Sequence, residues 1–159
     1  MKEDETCKLR CVKTTVNMVW IGDTLGLIHA ACLCSLIRLG HDVVPHAYGR
    51  PHDTPDGVRL FDAGKLMREA EVEVFKRHNL LAYAFDIYRY RSQREGMGLY
   101  VDCDVFCLES FADEEYVFTW ESGHLIANGI LKNPHDSELL RRILKDSENP
   151  HFIPPLVAI

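Results

Sequence analysis

The sequence predicts an α/β fold, a sheet flanked by helices, within a single domain of 159 residues. Three observations predict it. "TTVNMVWIG" (Thr14 to Gly22) and "HDVVPHAY" (His41 to Tyr48) are β-branched, apolar runs separated by a helix-like run, a strand–helix–strand order. "GMGLYVDCDVFCLES" (Gly96 to Ser110) is a further strand-like run behind two glycines. A composition of 47% hydrophobic and 26% charged residues is enough to close a core around such elements.

Thr14 to Gly22 reads as a buried strand ending in glycine. Asp23 or Thr24 then caps a helix running to about Leu39, with Gly40 as its stop signal. His41 to Tyr48 is the second strand, and Pro45, which lacks an N–H, predicts an edge position or an early end. "GRPHDTPDG" is a loop, and "VRLFDAGKLM" a short strand followed by a turn. Arg68 to Arg94 is helical and broken near "HNL" at His78 to Leu80, with Leu81, Phe85 and Tyr88 forming an apolar stripe in its second half. "LYVDCDVF" and "YVFTWE" are strands, and "DSELLRRILKDS" is an amphipathic helix after Pro134. No internal repeat or low-complexity tract interrupts this order.

Net charge is −6 with no block of Lys or Arg, so nucleic acid is a poor partner for this surface. "MKEDETCKLR" lacks the pattern of a secretory signal, and "LGLIHAACLCSLIRLG" is too short and too polar to span a bilayer. Six cysteines fall as Cys7/Cys11, Cys32/Cys34 and Cys103/Cys107, none of them a CxxC pair. A structural zinc site is therefore weakly supported, and a reducing, cytoplasmic interior is expected. The eight histidines, His29 among them, are scattered without an HxxxH on a helix.

Asp102 and Asp104 carry the strongest chemical signal. Residues i and i+2 of a strand share a side, so the strand reading predicts that both carboxylates face one spot. Like charges that close disfavour ionisation, and a divalent cation relieves the repulsion. The spacing alone also suits two solvated acids on a loop. An EF-hand is excluded, because Phe106 stands where a polar ligand belongs. A haloacid-dehalogenase-type phosphatase also follows an apolar strand with DxD, yet it places the motif early and needs a later lysine and a second acidic pair. Asp86 and Arg89, three apart, share a helix face upstream, a surface ion pair unless the Gly96–Gly98 turn brings them beside the acids. Trp20, at a strand end, suits a core aromatic as well as a stacking platform.

Taken together, "AFDIYRYRSQREGMGLYVDCDVFCLES" resembles the DXD sugar-binding region of the family 32 glycosyltransferases, the capsular-polysaccharide glycosyltransferases and the catalytic domains of large clostridial toxins. In that pattern a helix carries an aspartate and an arginine three residues apart, followed by a glycine turn, an aromatic and the DXD. Asp86, Arg89, Gly96, Gly98, Tyr100, Asp102 and Asp104 match it. "VNMVWIG" and "YVFTWESGHLIANGILKNPHDSELLRRIL" extend the resemblance over most of Thr14 to Leu144, with Trp20, Glu121 and Asn128 on family positions.

The resemblance implies a GT-A-like, Rossmann-type nucleotide-binding sheet and transfer of a hexosyl unit from a UDP- or GDP-sugar to a glycan or glycolipid in bacterial surface-polysaccharide synthesis. Trp20 would cover the base, with Tyr100 and Asn128 joining the donor site. Asp86 and Arg89 would hold sugar and phosphate. Asp102 would touch ribose or Mn²⁺ or Mg²⁺, and Asp104 would ligate the metal. Glu121 would act as base or orient the acceptor. The donor part would occupy residues 14–109 and a partial acceptor part residues 110–159, at the cytoplasmic side with room for peripheral contact with the inner membrane face. Members of these families continue past the "IPP" segment whereas this chain ends at Ile159, which sets a second expectation of a truncated, non-catalytic nucleotide-sugar binder.

Overall fold

The computed structural model of the chain describes residues 13–149. The N-terminal decapeptide, Cys7 and Cys11, and the tail from Pro150 with His151 lie outside the described residues. The first strand, β1 (Thr15–Val19), leads through α1 (Gly26–Arg38) to β2 (Asp42–Ala47). β3 (Phe61–Asp62) runs into a 3-10 turn, Ala63–Lys65, then α2 (Glu69–Arg77) and α3 (Leu81–Arg94). β4 (Leu99–Val101), β5 (Val117–Ser122), β6 (Leu125–Lys132) and α4 (Glu138–Ser147) complete the order.

The six strands form one sheet in the order β3-β2-β1-β4-β6-β5. β3, β2, β1 and β4 are parallel, and the β5–β6 hairpin is added antiparallel beside β4. Chain order therefore steps outward from β1 in one direction through β2 and β3, then crosses back to β4 on the other side. A reversal of this kind splays the connections apart at the carboxyl ends of β1 and β4 and opens a crevice there.

Strand alternation divides the core into two layers. Val16 and Met18 of β1 and Leu99 and Val101 of β4 face Leu33 and Leu36 of α1. Val19 and Tyr100 face the opposite way, onto Ala84, Ile87 and Tyr88 of α3 and Val72 of α2. Within this second layer His46 is fully buried, with Nδ1 2.9 Å from the Tyr88 hydroxyl and Nε2 3.0 Å from Asn17 Oδ1. The amide oxygen only accepts, so Nε2 carries the proton and Nδ1 accepts from Tyr88. Asn17 Nδ2 donates to the Met97 carbonyl at 2.6 Å, tying β1 to the entry of β4.

Several expectations hold. Gly40 and Gly96, at φ +88 and +65, lie one residue beyond the C-caps of α1 and α3, where a left-handed backbone ends a helix cheaply. The "HNL" break separates α2 from α3, and Asn79 adopts φ +57 there, which asparagine tolerates. Other expectations need correction. α1 is not capped by Asp23 or Thr24: the Asp53 carboxylate, from the loop after β2, accepts from Leu25 N at 2.6 Å and Gly26 N at 2.7 Å. A distant carboxylate satisfies the helix amides and offsets the positive end of its dipole. β2 is not the outermost strand, since β3 lies outside it, yet β3 joins only at His46 and Ala47. Asp42 N points to β1, so by alternation the Pro45 nitrogen points away from β1, where no β3 residue is paired with it.

Burial pushes the pKa of His46 down from 6.5 to about 4. The unfolded chain therefore binds a proton that the folded chain refuses, and stability present above pH 6.5 is lost as pH falls toward 4. His41, also lowered by burial, acts in the same direction. Urea unfolding is expected to show a loss of about 3 kcal/mol across that window from His46. Its upper part, pH 6.5 to 5, precedes most carboxylate titration. Constant stability there would show that His46 is not held neutral.

Candidate functional site

The crevice at the carboxyl ends of β1 and β4 encloses roughly 250 Å³. Trp20 and His29 line one side of it, Phe85, Asp86 and Arg89 of α3 the other, and Tyr100, Asp102 and Asp104 its floor and rim. Strand alternation explains the allocation. Trp20 continues the Val16–Met18 face toward α1, and its ring meets the His29 ring at 4.5 Å. Asp102 continues the Tyr100 face toward α3 and meets Arg89.

Arg89 is only 5% exposed and gathers the site around its guanidinium. Nη2 lies 3.2 Å from Asp102 Oδ1 and 3.5 Å from Asp86 Oδ1, while Nη1 donates to Asn128 Oδ1 at 2.6 Å. Asn128, on β6, donates from Nδ2 to Asp86 Oδ1 at 3.0 Å and to the Tyr90 hydroxyl at 3.2 Å. The Arg89 guanidinium lies 5.2 Å from the centre of the Tyr100 ring. A buried cation with two carboxylates and an amide oxygen is well satisfied, and its side chain has little freedom left.

The two acids of the DXD differ. β4 ends at Val101, and Asp102 to Val105 form a turn closed by Val105 N donating to the Asp102 carbonyl at 3.2 Å. The strand expectation for the pair is thus corrected: a turn, rather than strand alternation, brings both into one crevice. Asp102 is half-buried, close to the Tyr100 side chain and paired with Arg89. Its carboxyl is nevertheless held above the usual aspartate range. Burial is the main cause, Arg89 and Tyr100 oppose it, and the charges of Asp104 and Asp86 add to it. Asp104 is exposed at the rim. Three carboxylates against one guanidinium leave the crevice net negative.

Glycine at 129 makes room for this arrangement. The Gly129 carbonyl accepts from Asp102 N at 2.7 Å, and a Cβ on Gly129 would lie 2.8 Å from Asp102 Oδ2. The sequence reading placed no strand over Leu125–Lys132, and the Gly129 contact and the ladder from Asn128 to α3 depend on that strand.

Of the residues singled out from sequence, Trp20, Asp86, Arg89, Tyr100, Asp102 and Asp104 all line the crevice, and Asn128 supports it through Arg89 and Asp86. Tyr100 is 1% exposed and serves mainly to support Arg89 and Asp102. Glu121 is not brought in: it is exposed on β5, the outermost strand of the hairpin side. No sequence spacing links His29 to Trp20; the crossing of α1 over the end of β1 brings their rings together. Among the described residues no group of three His, Cys, Asp or Glu side chains is placed to enclose a metal ion. Cys32, Cys34, Cys103 and Cys107 are free thiols, and no helix among the described residues is long and apolar enough to cross a membrane.

The fold is similar to that of a solved structure, the PaToxG Glycosyltransferase, with a TM-score of 0.62 at 14% identity. The likeness covers 86% of this chain and 61% of that one, so this chain spans about three fifths of its neighbour's length. No family model and no curated protein matches the sequence. At this identity the likeness establishes a shared fold: the six-stranded α/β sheet flanked by helices is compatible with the GT-A-like architecture.

Replacing Arg89 by methionine should remove the cation and leave Asp86, Asp102 and Asn128 facing one another. Both carboxylates retain some solvent, so a loss of about 2–3 kcal/mol is expected. Adding Asp86→Asn should restore part of it. Denaturant unfolding of the three proteins checks this, and a single-variant loss below ~0.5 kcal/mol would mark the cluster as an ordinary surface ion pair.

Proposed function

We propose that this chain binds a nucleotide diphosphosugar across the β1/β4 crevice and transfers its hexosyl unit to a glycan or glycolipid acceptor. One observation carries the reading: residues from four elements, Trp20 after β1, Asp86 and Arg89 on α3, Asp102 and Asp104 after β4 and Asn128 on β6, converge at the switch point of a parallel sheet. Similarity to a fold whose solved example is titled a glycosyltransferase supports it.

Trp20 supplies an apolar platform on which a base can stack. Arg89, a lining residue of the crevice, holds Asp86 in place and offers positive charge to a phosphate or sugar oxygen. Asp86 keeps a carboxylate oxygen free of Asn128 for a sugar hydroxyl. The residues fit Mn²⁺ or Mg²⁺ carried in with the diphosphate rather than a closed protein cage. Asp104 is exposed at the rim beside a half-occupied Asp102, and such cations commonly take one or two carboxylates with phosphate oxygens and water. When bound, such a cation would supply positive charge to the leaving diphosphate. Asp102 and Asp104 would hold the cation, with Gly129 leaving the space that keeps Asp102 oriented. Burial is the main cause of the raised Asp102 carboxyl, and the cation would offset the smaller part that the charges of Asp104 and Asp86 add.

The phosphatase alternative finds less support. It needs a lysine near the acid pair, and among the described residues none lines the crevice. In the later acidic stretch, Asp113 pairs with Lys132 at 2.9 Å on the surface.

UDP- or GDP-hexose is expected to raise the melting temperature only with Mn²⁺ or Mg²⁺ present. At about 100 times its dissociation constant the gain is about 2.7 kcal/mol. Asp104→Asn should abolish this gain with unchanged unfolding in the absence of ligand, because the side chain is exposed. Equal stabilisation in EDTA would remove the cation from the site. Free-sugar release and transfer to mixed glycan and glycolipid acceptors then distinguish transfer from binding alone.

Gly129→Ala should act through Asp102 without unfolding the sheet. The new methyl meets the Asp102 side chain rather than backbone, and moving that carboxylate weakens its pair with Arg89, so a loss of about 1–2 kcal/mol is expected. Metal-dependent donor binding should fall at least about tenfold, since the displaced carboxylate no longer meets Arg89 and the cation together. Isothermal titration of donor with Mn²⁺ measures it; parent-like affinity would show that the Asp102 position is immaterial.

A further inference from the structure

His29 stands in the first turns of α1 and lines the crevice on the Trp20 side. Its ring is tilted 49° to that of Trp20 with centroids 4.5 Å apart. Behind it, Nδ1 lies 2.7 Å from the Leu25 carbonyl oxygen. A carbonyl oxygen only accepts, so Nδ1 carries the proton, and in the neutral ring Nε2 is left as an acceptor on the far side from that bond. The fold thus sets the tautomer from outside the crevice. Beside an aromatic platform it presents a polar atom of defined character, held on a helix instead of a loop.

The indole N–H of Trp20 is itself buried without a partner, so it is not the group that satisfies His29. An acceptor next to a stacking ring is suited to reading the edge of a planar heterocycle. Among the four common bases, uracil and guanine carry an N–H on the ring nitrogen of their Watson–Crick edge. Cytosine and adenine carry a lone pair there, which would oppose the lone pair of Nε2.

Resting on the nucleotide-sugar reading above, we propose that His29 is a specificity residue of the donor site. Nε2 accepts the ring N–H of a base stacked at Trp20 and thereby selects uracil or guanine over cytosine and adenine. Cytosine and adenine can meet Nε2 only by shifting to donate their exocyclic amino group, which moves the base off its position on Trp20 or leaves Nε2 unpaired.

The test is titration calorimetry with UDP, GDP, CDP, ADP, N3-methyl-UDP and N1-methyl-GDP in Mn²⁺ buffer. Three proteins are compared: the parent, His29→Phe and His29→Gln. Phenylalanine keeps a ring against Trp20 and removes the acceptor; glutamine keeps an acceptor. The parent should bind UDP or GDP about tenfold more tightly than CDP, ADP and the N-methylated counterpart of its preferred ligand. His29→Phe should still bind but with these ratios near one, and His29→Gln should retain part of the preference. A structural role for the ring would lower all affinities together and leave the ratios unchanged, which overturns the inference while the donor reading stands. Equal binding of methylated and unmethylated ligands by the parent overturns it even if His29→Phe fails to fold. Absence of any nucleotide binding by the parent overturns the donor reading and this inference with it.

Discussion

The crevice depends on one buried cation. Arg89 is nearly inaccessible, yet its guanidinium meets Asp86 on its own helix, Asp102 after β4 and Asn128 on β6, and lies over the Tyr100 ring. Desolvating a guanidinium is costly unless several partners surround it. Those partners come from three separate elements, so the cost binds helix, parallel strand and antiparallel hairpin into one arrangement. Substituting lysine would keep the charge and lose the fork that reaches all of them.

The acid pair illustrates how the same residue type acquires different properties from its surroundings. Asp102 is half-buried, tied by its backbone to Gly129 and by its side chain to Arg89 and Tyr100. Asp104, two residues later, sits past the bend of the turn and is exposed. Asp102 is therefore a positioned group with restricted motion, and Asp104 an exposed rim carboxylate open to solvent and ligand. A site that accommodates a cation arriving with its own phosphate oxygens benefits from one of each.

Beneath the crevice, the layer between sheet and α3 is partly polar. Asn17, His46 and Tyr88 complete one another's hydrogen bonds, and Gln93 donates to the Gly98 carbonyl and accepts from Asn133 N. Apolar packing is non-directional, but this chain of bonds admits one register of α3 on the strands. Arg89, one residue beyond Tyr88 on α3, is placed by that register.

By itself the sequence determined the elements apart from β6 and the identity of most crevice residues. β-branched runs, helix-terminating glycines and the 3.6-residue stripe of α3 are local signals, set by backbone sterics and solvent, and they are legible without a partner. The Asp86–Arg89 spacing and the DXD are local as well, and both reached the crevice. Tertiary structure alone decided what depends on contacts between distant segments. The cap of α1 is Asp53, 27 residues from Gly26. Asn128 reaches Arg89 across 39 residues, and Gly129 leaves space for Asp102. His29 meets Trp20 because α1 crosses the end of β1, and Glu121 stays outside because its hairpin extends the sheet away from the switch point. The reason is common to all of these: side-chain direction within an element follows from its period, whereas proximity between elements follows from how the sheet is ordered and where its crossovers reverse.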